Sequence, residues 1–192
     1  MLESEGAEVT IAPICRDNLD EIICALENTK QCQIIITLGG VSKGNYDLIR
    51  KHYRKLGIKI LVDGIPIKPG KPLIIGKLNG KIIFCLPGNP ISSIVCSKLF
   101  IVSLIRKMLG EKLERLVTRK ALLSEDIKVS ISQREHYMRA FTYQEAAIQY
   151  VKPFSEQDSS LHSVLIKSNC LLIIPPESSS YFKDQIVDII DF

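Results

Sequence analysis

The chain has 192 residues, a formal net charge of +4, and a composition that is 46% hydrophobic and 24% charged. This length fits one domain or two small ones, and the balance of apolar and charged residues excludes an intrinsically disordered chain. No stretch approaches the ~20 apolar residues that would span a bilayer. The N-terminus MLESEGAE has acids where a secretory signal has an apolar core. We therefore expect a cytoplasmic protein with no membrane partner.

The cysteines form no CxxC pair, and most of them lie in apolar segments: Cys15, Cys24, Cys32, Cys85, Cys96 and Cys170. Cysteine used as a small buried apolar residue indicates a reducing compartment. The three histidines lie far from any paired cysteines, so the sequence predicts no structural zinc site.

Helices and strands alternate in the first part of the chain. A helix is predicted from Asp17, where Asp17-Asn18 offers an N-cap and apolar residues recur at helical spacing. A buried strand at 33–37 leads into Gly39-Gly40, and a helix over 46–56 and a strand over 58–62 follow. This alternation predicts a parallel α/β layer, in which ligands bind at the carboxyl ends of the strands.

Two apolar runs, 73–75 and 81–86, follow with Asn79-Gly80 between them, and Asn-Gly is a strong tight-turn signal. Two rigid loops bracket these runs: Lys68-Pro69-Gly70-Lys71-Pro72 and Pro87-Gly88-Asn89-Pro90. A long helix is predicted from Pro90, with Asn89 as its cap, to Gly110.

Beyond residue 111 the pattern changes to short alternating runs separated by turns rich in Ser, Asp and Pro. We expect strands near 119–123, 136–143, 147–151, 170–174 and 185–190, and one short helix near 161–167. The predicted organisation is an α/β domain over 1–112 and a small, mostly β domain over 118–192.

Positive charge is concentrated in the first part of the chain. Residues 1–117 carry a net charge of +6 and residues 118–192 a net charge of −2, while 43–81 hold ten basic residues and two acids. This asymmetry is compatible with a solvated basic face or with an anionic partner, either a phosphate-bearing small molecule or a nucleic acid. The basic stretch has no aromatic stripe for base stacking, which disfavours nucleic acid.

Three loops in this region could bind an anion. Gly39-Gly40 allows close backbone approach to a ligand, and Ser42 and Asp47 follow it. Two prolines stiffen the loop that presents Lys68 and Lys71, and Pro87-Gly88-Asn89-Pro90 opens a helix. Each loop is also compatible with a plain structural turn, and Asp47 with an acid that complements a helix dipole.

Three segments taken in order, LGGVSKGNYDLI (38–49), IKPGKPLIIGKLNGKIIFCLPGNPISS (67–93) and QDSSLHSVLIKSNCLLIIP (157–175), resemble the molybdopterin molybdenumtransferase family, which includes the E domain of gephyrin. The resemblance implies a three-layer molybdopterin-binding α/β domain with a parallel-rich sheet, followed by a small β-barrel. It also implies insertion of molybdate into adenylated molybdopterin, with Mg²⁺ assisting as AMP is released, by a homodimer.

The same resemblance implies roles for individual residues. Asp47 and Asp17 match functional acids of the family and would hold the metal, and Lys68 matches a lysine that faces the anionic substrate or molybdate. The pterin- and phosphate-binding loops would comprise Gly39, Gly40, Ser42, Lys71, Pro87, Gly88, Asn89, Pro90 and Ser92.

The chain departs from the family pattern at several points. The family's preceding domains, and the first strand of the molybdopterin-binding domain with its TGDE-type loop, have no counterpart here. Leu38 replaces a small hydroxyl residue, and Lys43 replaces an apolar one.

Three hypotheses therefore stay open. The chain is the catalytic C-terminal half of such an enzyme, or it is a non-catalytic or degenerate pterin-binding or scaffold fragment that needs a separately encoded N-terminal half. A nucleic-acid-binding basic domain is the least favoured of the three, because the rigid Pro-Gly loops do not require one.

Overall fold

The computed structural model describes residues 1–41, 48–112, 116–157 and 162–192, which fall into two compact units. Unit 1 consists of Met1–Ile65 and Gly70–Glu111, and unit 2 of Pro66–Pro69 and Lys112–Phe192. In chain order the elements are α1 (Leu19–Glu27), β1 (Ile34–Leu38), α2 (Leu48–His52), β2 (Lys59–Asp63), β3 (Ile67–Lys68), β4 (Ile74–Leu78), β5 (Lys81–Leu86), α3 (Pro90–Cys96), α4 (Val102–Met108), β6 (Arg119–Leu123), β7 (Ile127–Lys128), β8 (Glu135–Glu145), β9 (Ile148–Pro153), α5 (His162–Lys167), β10 (Cys170–Ile174), β11 (Ser180–Tyr181) and β12 (Ile186–Asp191).

Unit 1 contains a four-stranded sheet in the order β1-β5-β4-β2. β1 and β5 run parallel, whereas β5 with β4 and β4 with β2 are antiparallel. The hairpin predicted at Asn79-Gly80 is confirmed, since both residues have positive φ, 50° and 82°, as a two-residue hairpin turn requires. The expectation of a parallel-rich sheet is corrected to a mixed sheet, because strands joined by so short a turn must pair antiparallel.

Apolar residues of the sheet and helices form the core of unit 1. Ile35, Ile58, Ile74 and Ile83 are buried in it, and the apolar stripe of α1 packs against it. The predicted long helix is confirmed as a continuous run from Pro90 to Met108, in which a π-helical turn over Ser97–Ile101 joins α3 to α4.

The start of α1 differs from the expectation. The helix begins at Leu19, and Asn18 is its cap, accepting a hydrogen bond at Oδ1 from the backbone N–H of Asp20 at 2.9 Å. Asn18 has the extended backbone that a cap requires, so Asp17 precedes the cap and its carboxylate is exposed.

Unit 2 is built around a closed barrel of five strands. The order is β10-β12-β6-β9-β8, and β8 pairs back onto β10. The interior is apolar, with Leu123, Ala140, Val151, Leu172 and Ile189 inaccessible to solvent. The predicted α/β class followed by a small β-barrel is confirmed.

β3 was not predicted. It adds to the barrel sheet by pairing in parallel with β8, with Ile67 opposite Glu135 and Lys68 opposite His136. The sequence gives no local signal for this pairing, because the partners are far apart in the chain and only two residues take part.

All six cysteines are free, and three of them, Cys85, Cys96 and Cys170, are buried. Burial raises the pKa of the Cys85 thiol to about 11 and that of Cys96 to about 12. These two thiols stay protonated near neutral pH and serve as small apolar residues, as expected. Among the described helices, none has the length and apolar character that crossing a membrane requires.

A cluster of three charged side chains fixes the first turn of the chain onto the long helix. Glu5 accepts a hydrogen bond from Nε of Arg106 at 2.7 Å, and its other carboxylate oxygen lies 3.8 Å from Nζ of Lys98. Lys98 is buried within the π-helical turn. The hydrogen bond from Arg106 and the charges of Arg106 and Lys98 lower the pKa of Glu5 from its ordinary value of 4.5, against the effect of burial.

We predict that Glu5→Gln lowers the free energy of unfolding at pH 7 by about 1 kcal/mol, an amount that allows for the partial exposure of Arg106. Because the folded state lowers the pKa of Glu5, its contribution is present above pH 4.5 and is lost as the pH falls through the lowered value. Urea denaturation at pH 7 and at pH 3 measures the difference. The exposed Glu3→Gln is the matched control, and an equal effect of both variants at pH 7 would contradict the prediction.

Candidate functional site

The two glycine loops of unit 1 lie side by side. Because β1 and β5 are parallel, with Leu38 opposite Leu86, their carboxyl ends meet at one edge of the sheet. The N–H of Gly39 donates to the carbonyl oxygen of Leu86 at 2.9 Å. A Cβ placed on Gly88 would lie 3.6 Å from Cα of Gly39, so the two backbones are nearly in contact.

Gly39 and Gly40 have φ angles of +92° and +71°, which only glycine adopts readily. A Cβ on Gly39 would meet no atom of the described residues within 4 Å, whereas one on Gly40 would lie 3.4 Å from Ile49. The backbone conformation therefore favours glycine at position 39, and the described residues do not fill the space that a Cβ would occupy there.

The second loop caps the helix that begins at Pro90. Asn89 Oδ1 accepts hydrogen bonds from the backbone N–H of Ser92 at 3.2 Å and from its hydroxyl at 3.4 Å. The Ser93 hydroxyl donates to the carbonyl oxygens of Pro87 and Asn89. Pro87 and Ser92 are buried, while Gly88 and Pro90 are exposed. The loop is rigid, and its exposed backbone lies at the positive end of a long helix, which favours an anion.

Arg50 is a positioning residue that the sequence analysis missed. Its guanidinium donates to the carbonyl oxygen of Val41 at 3.2 Å, to that of Pro72 at 3.3 Å, and to the carboxylate of Asp63. It therefore ties the Gly39-Gly40 loop to the loop that carries Lys71. A basic residue within a helical segment carries no sequence signal for this role, because its partners come from three other places in the chain.

Lys68 and Lys71, predicted to extend from one rigid loop, belong to different units. Lys71 lies in unit 1, where its carbonyl oxygen accepts from the N–H of Ile65 at 3.0 Å and its side chain is exposed. Lys68 lies in β3 of unit 2 and is also exposed. The two lysines are therefore described within their own units.

In unit 2, Lys68 is part of a cluster of cations around His136. The two residues are direct partners across β3 and β8, so their side chains emerge on the same face. Burial and the charges of Lys68, Arg139 and Arg134 lower the pKa of His136 to about 4. Within the described residues, neither Lys68 nor Arg134 forms an ion pair. Cations held together in this way favour binding of an anion.

Arg139 is the most enclosed of these cations, with 1% of its surface exposed. The backbone N–H of Arg139 donates to Oε1 of Gln157 at 3.0 Å. The carbonyl oxygen of Arg139 accepts from Nε2 of Gln157 at 2.9 Å and from the backbone N–H of Phe154 at 3.1 Å. A guanidinium group is costly to bury without hydrogen bonds, and that of Arg139 donates from Nη2 to the carbonyl oxygen of Glu156 at 3.5 Å. The burial of Arg139 was not predicted, because an arginine within a strand is usually exposed to solvent.

Of the predicted acids, only Asp17 is among the described residues, where it is exposed just before α1. Asp47 and Ser42 lie outside them. The parts of the chain that are described contain no group of three or more His, Cys, Asp or Glu side chains that could hold a metal ion.

Family models match almost the whole chain. Residues 1–107 match the model described as a probable molybdopterin binding domain, and residues 120–192 match the MoeA C-terminal region, domain IV. The molybdopterin molybdenumtransferase of Haemophilus influenzae is 31% identical over 196 residues, covering 100% of this chain and 48% of that protein. The Bacillus subtilis protein of the same name is 26% identical, covering 99% and 45%. The chain thus spans about half the length of these relatives.

Solved structures agree on the fold. A molybdenum cofactor biosynthesis protein from Pyrococcus furiosus matches with a TM-score of 0.75 at 21% identity, covering 100% of this chain and 61% of that one. The molybdopterin biosynthesis moeA protein from Pyrococcus horikoshii matches with a TM-score of 0.65 at 27% identity, covering 92% and 40%. The resemblance inferred from the motifs is therefore confirmed, and the chain belongs to the molybdopterin-binding domain family, with a MoeA C-terminal region following that domain.

Proposed function

We propose that the chain acts in molybdenum cofactor biosynthesis, binding adenylated molybdopterin and supporting insertion of molybdate with release of AMP. The observation that carries the proposal is the close approach of Gly39 to Gly88, which brings two glycine loops together at the carboxyl ends of parallel strands. Such strand ends are where α/β sheets bind ligands. Relatives that carry the transferase name support the choice of reaction.

Each unit binds a different anionic group in this proposal. In unit 1 the phosphates lie against the backbone of Gly39, Gly40 and Gly88, with Lys71 offsetting their charge. In unit 2 Lys68 and its neighbouring cations bind the oxyanion. Molybdate is itself an oxyanion nucleophile, so the chain needs to position two anions and offset their repulsion rather than supply a nucleophile. The proposed functional division of the chain is 1–112 and 118–192.

Ser42, Pro87, Asn89, Pro90 and Ser92 complete the proposed substrate-binding set. Asn89 and Ser92 act by holding the loop backbone in place, since their side chains bond to each other. Asp47 and Asp17 are the proposed carboxylates for Mg²⁺, together with the phosphate oxygens of the substrate. Homodimerisation is a further proposal taken from the family.

A second candidate function separates binding from turnover. In this alternative the chain binds the pterin but turns over only with a separate N-terminal half. The exposed Leu38, where the family pattern has a small hydroxyl residue, favours it, since 73% of this apolar side chain faces solvent beside Gly39.

We predict molybdate-dependent release of AMP from adenylated molybdopterin by the purified chain, measured by chromatography. Lys68→Gln and Asp47→Ala should each reduce the rate by about 100-fold, as expected when a group that stabilises developing charge is removed. Lys128→Gln, at an exposed lysine in β7 of the same unit, is the matched control.

Full activity in both Lys68→Gln and Asp47→Ala would contradict the assigned roles. If release appears only after the unmatched half of the Haemophilus influenzae relative is added, the second candidate function is supported. No release under either condition would exclude the transferase assignment for this chain.

Gly39→Ala provides a separate test of the loop. Its positive φ costs an alanine about 1 kcal/mol, and the added methyl group occupies the open space above the backbone. Gly110→Ala is the matched control, because its φ of +98° imposes similar strain and its Cβ also meets no atom of the described residues within 4 Å. We predict equal losses of stability by urea denaturation, and a loss of affinity for adenylated molybdopterin in Gly39→Ala alone. Equal affinities in the two variants would contradict the assignment of this loop.

A further inference from the structure

We propose that His136 binds the oxyanion together with Lys68 and takes up a proton when the anion binds, so that the barrel unit recognises tetrahedral dianions in a pH-dependent way. This inference rests on the proposed function of the Lys68 cluster and adds a residue that no motif singled out.

The side chain of His136 lies at the end of the barrel where β8 begins. It shares a strand face with Met138 and Ala140, which are buried in the barrel core, while His136 itself is only half-buried. Of its two strand partners, β10 places the apolar Ile174 opposite it and β3 places Lys68 opposite it. The imidazole is therefore enclosed on the core side and open at the barrel end.

The charges that act on His136 come from β3, from β8 and from the residue that precedes β8. They are Lys68, Arg139 and Arg134, and all three are cations. Together with burial they lower its pKa to about 4, so the imidazole is neutral at pH 7. Burial is the larger cause of this shift and remains when a ligand binds, whereas the part that comes from the neighbouring positive charge is offset by a bound anion.

A bound dianion changes this balance. An opposite charge within ~4–6 Å shifts a pKa by about 1–3 units towards the charged form. A rise of about two units would bring the pKa of His136 to about 6, and the protonated ring would then donate to an anion oxygen. By linkage, the anion should bind about ten-fold more tightly at pH 5 than at pH 8.

Sulfate is a suitable probe, because it is a tetrahedral dianion that keeps both negative charges over this pH range. Titration calorimetry on the full chain at several pH values, in two buffers of different ionisation enthalpy, gives the affinity and the number of protons taken up. We expect the ten-fold change in affinity and uptake of about half a proton per sulfate at pH 6. His136→Gln should bind sulfate with an affinity independent of pH, whereas the control His52→Gln, in α2 of unit 1, should behave like the unmodified chain.

A second measurement needs no variant. The NMR signal of the His136 ring followed against pH should show its pKa rising by at least about one unit when sulfate is added. Sulfate binding with no pH dependence and no shift of the His136 titration would overturn this inference while leaving the anion site in place. Absence of sulfate binding at any pH would overturn both the inference and the proposed role of the Lys68 cluster.

Discussion

The parallel pairing of β1 with β5 is the contact on which the candidate site of unit 1 depends. It brings together two turns that are separated by almost fifty residues of sequence, and the hydrogen bond from Gly39 to Leu86 continues the pairing into the first turn. Any side chain larger than hydrogen at Gly88 would begin to fill the gap between them. Arg50 then fixes the first turn from the other side, through Val41. The result is exposed backbone held rigidly where an anion can approach, which lowers the entropic cost of binding.

The candidate anion-binding groups of unit 2 differ in kind from those of unit 1. The cations of unit 2 are side chains rather than backbone amides, and burial together with the charges of these side chains lowers the pKa of His136. Bringing like charges together costs free energy, and the closed barrel, whose core residues are inaccessible to solvent, supplies the stability that offsets it. In the proposed function, the bound oxyanion would offset this repulsion.

Local sequence signals predicted much of this fold. The Asn79-Gly80 turn, the Asn89-Pro90 helix start and the barrel strands followed from adjacent residues and from hydrophobic periodicity. Contacts between distant segments did not: the pairing of Lys68 with His136, the burial of Arg139 and the contacts of Arg50 depend on tertiary packing. Asn18 rather than Asp17 caps α1, because the backbone of Asn18 has the extended conformation of a cap. Two adjacent polar residues in the sequence do not show which of them has that conformation. The motif residues Ser42 and Asp47 lie outside the described residues and stay predictions.

The central claim is that the chain binds its substrate through the two glycine loops of unit 1. An NMR titration of the isotope-labelled chain with adenylated molybdopterin tests it directly, because each backbone N–H reports its own surroundings. The account predicts shifts for the amides of Gly39, Gly40, Gly88 and Asn89, with those of the β4–β5 turn unchanged. Binding that leaves the amides of both glycine loops unperturbed, or no binding at all, would contradict it.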